Sequence, residues 1–325
     1  MLKAQYETRG PVPQDVISAV EFDTPELAEG EVLVELIASP INPSDVLTLT
    51  GEYGMLPPLP AVGGNEGVGK VLESAGDNKL KPGQTVLLPV GVGTWATHIV
   101  CKARDLIPLP DEADPKQLAM MTINPPTALL LLEEFADLKE GDWVIQNAAN
   151  SGVGSYLVQL AKIKGVKTIN VVRRESAVAG VKELGGDEVL VDGPDLPKRI
   201  AAITGDNAPK IAIDAVGGSA TDRLAASVAM GGTVINYGMM SGEPCQISAG
   251  SFVFRDVTLK GFWLAKWFRS ATPEQQMKVY GQITQYIASG KLHSKIASEY
   301  PVKDIKAAVA AAAQGERDGK ILVTA

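Results

Sequence analysis

The stretch "WVIQNAANSGVGSYLVQLAKIKG", Trp143 to Gly165, decides the fold. It opens with a short apolar run and passes through small and amide residues. It then takes up a helical apolar period that closes on glycine. That is a strand, a tight turn and a helix. In such a unit the first amides of the helix, and their partial positive charge, face a pyrophosphate. Against the pattern G-x-G-x-x-G the positions are Ala149, Ser151 and Gly154, and only the last is glycine. Small residues at the first two still permit close approach of the backbone, and Asn150, Gly152 and Val153 complete the turn.

Outward from this unit, strands and helices alternate. "KTINVV", "DEVLVD", "IAIDAVG", "TVINYG" and "VTLKGFW" read as strands. "ESAVAGVKELGG", "LPKRIAAITG" and "SATDRLAASVAMGG" read as helices. Alternation of this kind implies a parallel, doubly wound sheet. Upstream, "DPKQLAMMTINPPTALLLLEEFADL" reads as two helices interrupted by Pro125 and Pro126. Before residue 115 the chain is rich in short strands bounded by Gly, Pro and Asx, which predicts a small, bent, largely antiparallel sheet domain. The tail returns to helices and closes on a short strand. The fold class is therefore α/β, with the doubly wound part over 119–267 set between two pieces, 1–118 and 268–325, of a bent β domain.

A second glycine-rich stretch, "GGNEGVGK", lies at Gly63 to Lys70. The residues after it, "KVLESAG", read as a strand. No helix follows to offer a phosphate its N-terminus, so the nucleotide belongs to the later loop. Which nucleotide is decided one strand on. An acidic residue about 20 positions further would bind a ribose hydroxyl. Here "KTINVV" ends in Arg173 and Arg174. The planar guanidinium suits a 2'-phosphate, which favours NADPH over NADH.

Composition excludes several classes. The 325 residues are 45% hydrophobic and 21% charged, ordinary for a globular chain of two-domain length. The net charge of -8 and the lack of a basic run argue against nucleic acid. No apolar run reaches the roughly 18 residues of a membrane span. The first residues lack the pattern of a signal or transit peptide, which predicts a cytoplasmic protein. Cys101 and Cys245 are the only cysteines. They fit two buried thiols in a reducing compartment, not a disulfide scaffold.

Taken together, "INPSDVLTLTGEYG", "LPAVGGNEGVGKV", "GTWATHIV", "QNAANSGVG", "INVVRR", "YGMMSG" and "GFWLAKW" resemble one family. It is the medium-chain dehydrogenase/reductase superfamily, with a GroES-like bent β domain and a Rossmann domain. The similarity is greatest to its zinc-free 2-enoyl thioester reductases of mitochondrial type, and runs from about residue 35 to 320. In zinc-dependent members the position of Asn65 would be a histidine ligand and that of Asn42 a cysteine. The third ligand would fall near Ile123 and Asn124. None of these is a zinc ligand type, and the lobe that binds structural zinc is missing, so no metal is expected.

The resemblance implies reduction of the 2,3 double bond of a trans-2-enoyl thioester of CoA or acyl carrier protein. Tyr53, in the mobile loop "GEYG", would be the proton donor. Cofactor contacts would come from Asn124, from Asn150 to Gly154, and from Arg173 and Arg174. Further contacts would come from Tyr237, Gly238, Met239 and Met240, from Phe262, Trp263 and Leu264, and from Lys320. Trp95 and Trp267 read as packing residues. "VTLKGFW" resembles the edge strand that pairs two subunits, so a homodimer is expected. The alternative is an NADPH:quinone oxidoreductase or alkenal reductase of the same zinc-free group. A non-catalytic NADPH-binding protein is a third reading, against which Tyr53 speaks.

Overall fold

The computed structural model describes residues 1–24, 26–315 and 318–325. The chain divides into two compact units, residues 1–123 with 283–325, and residues 124–282.

The first unit is built on short, mostly antiparallel strands. They are β1 (Leu2–Tyr6), β2 (Ile17–Glu21), β3 (Glu31–Pro40), β4 (Ala61–Val62), β5 (Val68–Ser74), β6 (Thr85–Leu87), β7 (His98–Lys102) and β8 (Ile107–Pro108). The C-terminal segment adds β15 (Ile296–Pro301) and β16 (Lys320–Thr324). β1 pairs with β2 and β4, while the larger sheet runs β15-β16-β3-β5-β6-β8, with β7 also on β3. The long β3 supplies the centre because "VLVELIAS" buries Val32, Val34, Leu36 and Ala38. Helices α1 (Pro13–Val16), α2 (Pro43–Thr50), α3 (Pro115–Leu118) and α12 (Ile305–Ala313) complete the unit. The alanine-rich α12 is a packing helix, with Ile305, Ala308 and Val309 in the core of Val34, Val71, Trp95 and Ile99.

The helix α2 departs from the strand-and-turn reading of this region. Val46, Thr48 and Thr50 are poor helix formers. Local signals at its start prevail: Pro43 opens the first turn, and the Asp45 carboxylate accepts from the Asn42 backbone N–H at 2.7 Å.

"GGNEGVG" is a packing seam. A Cβ on Gly63 would lie 2.2 Å from the Trp95 ring, and one on Gly67 2.9 Å from the Ala38 carbonyl oxygen. Gly64 takes φ +95, and its Cβ would meet the Thr94 hydroxyl at 2.3 Å. Trp95 is fully buried. The glycines leave room for the indole beside the main chain, and the strand β5 follows directly.

The second unit is the doubly wound part. Its strands are β9 (Trp143–Gln146), β10 (Lys167–Val172), β11 (Glu188–Val191), β12 (Ile211–Asp214), β13 (Thr233–Asn236) and β14 (Thr258–Gly261). They pair in parallel in the order β11-β10-β9-β12-β13-β14. Around them lie α4 (Asn124–Glu133), α5 (Gly152–Lys164), α6 (Val178–Glu183), α7 (Leu196–Thr204), α8 (Gly218–Ala225), α9 (Ala249–Arg255) and α10 (Leu264–Ser270). The last helix, α11 (Pro273–Ala288), crosses the boundary between the units. Ile145, Ile169, Val171, Ala212 and Val234 form the core with Leu196, Ile200, Leu224 and Val228. Pro125 and Pro126 do not interrupt a helix. They sit in the first turn of α4, where a missing N–H costs nothing. The break precedes them, after Leu118.

Gly63→Ala is expected to cost about 1–3 kcal/mol by forcing a methyl into the Trp95 ring. A thermal melt indistinguishable from wild type would contradict the packing role of this seam.

Candidate functional site

In the second unit the sequence-derived positions gather at the carboxyl ends of the parallel strands. β9 runs into the turn at Asn147 to Ser151. Ala148 holds the left-handed conformation there, φ +46, which for an alanine costs about 1–2 kcal/mol. A Cβ on Gly154 would lie 2.6 and 2.7 Å from the carbonyl oxygens of Ala149 and Ala148, so α5 starts hard against the turn. Ser151 caps α5, its hydroxyl accepting from Gly154 N at 3.1 Å. The other first-turn amides have no partner inside the helix. A side chain at 154 would strike that backbone, so the glycine serves the close packing of α5 on the turn, and a helix start so placed is of the kind that can accept a pyrophosphate. Asn150 is exposed, Ser151 and Gly152 are half-buried, and Val153 is buried.

Arg173, exposed, and Arg174, half-buried, follow directly on β10, next to β9 in the sheet. Tyr237 to Met240 follow β13, with Met239 and Met240 exposed. The Tyr237 phenol is pushed up by burial, a hydrogen bond with Ser151 pulling the other way and the Asp214 charge adding to the rise. Tyr237 thus ties the β13 end to the α5 cap. Phe262, Trp263 and Leu264 follow β14. Phe262 meets the Phe135 ring edge-on at 5.9 Å, and the Arg269 guanidinium lies 5.1 Å from the centre of the Trp263 ring. Trp267 packs edge-on with Phe268. Asn124 is the buried first residue of α4.

Sequence reasoning passed over the group that holds these loops, Asp214 at the end of β12. One carboxylate oxygen accepts from Asn147 Nδ2 at 2.6 Å and from the amides of Val216 and Gly217 at 2.9 and 3.1 Å. The other accepts from the Thr221 hydroxyl at 2.7 Å and Asn236 Nδ2 at 3.0 Å. Asn147 Oδ1 in turn accepts from Ala215 N at 2.7 Å. Burial pushes the Asp214 carboxyl up, but the bonds from Thr221, Asn147, Asn236 and Gly217 outweigh it, and the group ends below its ordinary value. The ends of β9, β12 and β13 are thereby locked together. The signal was present: "VIQN", "AID" and "VIN" each end an apolar strand on an acid or amide.

In the first unit a buried polar cluster surrounds Glu66. Its Oε1 accepts from Asn42 Nδ2 at 2.7 Å, and its Oε2 from the Thr122 and Ile123 amides at 2.9 and 3.1 Å. Lys320 Nζ donates to Asn42 Oδ1, and Asn65 Nδ2 donates to Asp45 Oδ1 at 2.6 Å. Lys320 is buried at the start of β16. Two carboxyl groups face one ammonium. Burial raises Glu66 to about 7 against the pull of Lys320, Asn42 and Thr122. Burial likewise raises Asp45 to about 6 against Asn42, Asn65 and Lys320. Among the described residues no group of three or more His, Cys, Asp or Glu side chains is placed to hold a metal ion. Tyr53, half-buried, lies just past α2, its amide bonded to the Leu47 carbonyl at 3.2 Å.

Cys101 and Cys245 are both free thiols; Cys101 is buried as expected, whereas Cys245 is only half-buried. Burial, with the Asp105 charge, pushes Cys101 up to about 12, so it carries no thiolate chemistry. Among the described residues no helix is long and apolar enough to cross a membrane.

Comparison with known proteins agrees with this layout. Residues 28–111 match the alcohol dehydrogenase GroES-like domain, and residues 152–279 match the zinc-binding dehydrogenase family. The chain is 35% identical over 319 residues to the mitochondrial enoyl-[acyl-carrier-protein] reductase of Mus musculus, covering 96% of this chain and 86% of that protein. Among solved structures, the mitochondrial 2-enoyl thioester reductase Etr1p/Etr2p heterodimer from Candida tropicalis superposes with a TM-score of 0.89 at 29% identity, over 100% and 99% of the two chains. Another structure, at TM-score 0.90 and 28% identity over 100% and 99%, is of Etr1p with NADP and crotonyl-CoA. A Bacillus thuringiensis protein assigned as an NADPH:quinone reductase superposes with a TM-score of 0.90 at 29% identity, over 100% and 98%.

Asp214→Asn leaves some of these donors facing an NH2 group and is expected to cost about 2–4 kcal/mol at pH 7. A carboxyl whose folded value is depressed stabilises above its unfolded value, near pH 4, and loses that contribution as pH falls. The melting-temperature gap between wild type and D214N is therefore expected to narrow below about pH 4. A gap constant from pH 7 to pH 3 would contradict the ionised hub.

Proposed function

The chain belongs to the medium-chain dehydrogenase/reductase family of oxidoreductases, in its enoyl reductase branch, and on that premise we propose that it uses NADPH to reduce the 2,3 double bond of a trans-2-enoyl thioester. The observation that carries the reading is the corner around Glu66. Where metal-dependent members would set zinc ligands, this chain sets the amides of Asn42 and Asn65. Each amide nitrogen is already committed to a carboxylate. We assign the proton of the reaction to the protein, with Tyr53 as its donor.

NADPH, when bound, supplies the hydride that forms the new C–H bond at the β-carbon. The protein's part is to hold the cofactor and place a proton. Arg173 and Arg174, behind β10, would take the 2'-phosphate as paired guanidinium donors. The start of α5, with Ser151 to Gly154, would take the pyrophosphate. Asn124, Tyr237 to Met240, Phe262 to Leu264 and Lys320 would complete the contacts. As the double bond breaks, its electron pair moves to the α-carbon and the thioester oxygen. The Tyr53 hydroxyl, or a water molecule it orients, then protonates the α-carbon. The second reading, a quinone or alkenal reductase, is supported by the B. thuringiensis structural likeness and shares the cofactor site.

The two free thiols fit a reducing compartment, whether cytoplasm or the organelle that the curated relatives are named for. We propose a homodimer through the edge strand β14 and the exposed face of α9, where Phe252, Val253 and Phe254 stand in solvent. Light scattering at micromolar concentration is expected to give twice the chain mass, and a monomer mass would contradict the pairing.

Crotonyl-CoA is expected to oxidise NADPH faster than a benzoquinone does. Tyr53→Phe should lower kcat by about 100-fold or more while leaving NADPH affinity nearly unchanged. Arg173→Ala should weaken NADPH about 10- to 100-fold and NADH little. Faster turnover of the quinone would move the assignment to the second reading, wild-type turnover by Y53F would remove the tyrosine, and equal losses for both cofactors would remove the arginine.

A further inference from the structure

We infer that Glu66 is a positioning residue for the reaction, its single carboxylate fixing both the helix that leads to Tyr53 and the main chain that leads to Asn124. This rests on the proposed role of Tyr53. Glu66 is fully buried, so no solvent can replace a lost partner. Its two oxygens are divided between two segments far apart in sequence. Oε1 takes Asn42, the residue before α2, and Oε2 takes the amides of Thr122 and Ile123, directly ahead of Asn124 in the chain.

The Asn42 arm is rigid. Its Oδ1 accepts from Lys320, so turning the amide over would face its NH2 to the ammonium. Its own backbone N–H is held by Asp45, whose second oxygen is held by Asn65. The orientation of α2 is therefore set at its start. At its end Gly51 turns with φ +87, and the amides of Glu52 and Tyr53 both donate to the Leu47 carbonyl, at 2.9 and 3.2 Å. Tyr53 is thus anchored through one helix to the group that also anchors Thr122 and Ile123. The charges facing Glu66 are Lys320 on β16 and Asp45 on α2.

Glu66→Gln exchanges one accepting oxygen for an NH2 group, so either Asn42 or the Thr122–Ile123 pair meets a donor. With crotonyl-CoA, E66Q is expected to lower kcat at least about tenfold in the wild-type background and less than about twofold in Tyr53→Phe, because it acts through that side chain. In amide hydrogen exchange on the full chain, Thr122, Ile123, Glu52 and Tyr53 are expected to exchange faster together, by at least about tenfold. Equal losses in the two backgrounds, an unimpaired Y53F, or faster exchange confined to 122–123 would overturn the role. Should E66Q fail to fold, Asn42→Ala carries the test, with loosening at 52–53 and the same non-additivity expected and additive losses overturning it. A wild type that turns over no enoyl thioester would sink the proposed activity instead, and the exchange pattern would still decide the bridge.

Discussion

The second unit depends on one close approach. The Cα of Gly154 stands where any side chain would strike the carbonyl oxygens of Ala148 and Ala149. That contact brings the start of α5 against the end of β9 and forces the turn between them. Ala148 accepts a left-handed conformation that costs it about 1–2 kcal/mol. Strain of this size persists only where surrounding bonds over-determine the backbone. Asp214 supplies those bonds, receiving Asn147 on one side and Asn236 on the other. The carboxyl ends of β9, β12 and β13 are thus fixed by one ionised group before any ligand arrives.

The first unit solves a different problem with similar means. It buries two carboxyl groups, those of Glu66 and Asp45, beside the single ammonium of Lys320. Charges removed from water are costly unless every lone pair and proton finds a partner. Glu66 has three donors within 3.1 Å, and Asp45 has two. Burial still raises both carboxyls. By linkage, a raised carboxyl stabilises the fold below its unfolded value and loses that contribution as pH rises toward the folded one. The cluster holds the backbone around it in place more than it adds to stability at neutral pH.

Much of this was legible in the sequence. Periodicity marked the alternating strands and helices of the second unit, and the strand read after "GGNEGVG" is β5. The physical cause of that first stretch was out of reach, because it is a tryptophan some 30 residues away whose ring needs the space. The helix α2 was also missed, since its β-branched residues argue against helix while Pro43 and Asp45 start one. The polar hubs were hidden for a plainer reason. An Asp or Asn at a strand end is common, and only the fold shows that Asn147, Asp214 and Asn236 converge. Lys320, far from Asn42 in sequence, likewise joins it only through the pairing of β16 with β3.

The most direct test of the proposed reaction is where each hydrogen goes. Crotonyl-CoA reduced with unlabelled NADPH in D2O should yield butyryl-CoA carrying deuterium at C2 and none at C3, read by NMR of the product. That distribution is required if the cofactor delivers hydride to the β-carbon and an exchangeable protein group or water protonates the α-carbon. Deuterium at C3, or NADPH oxidation without any butyryl-CoA, would contradict the account.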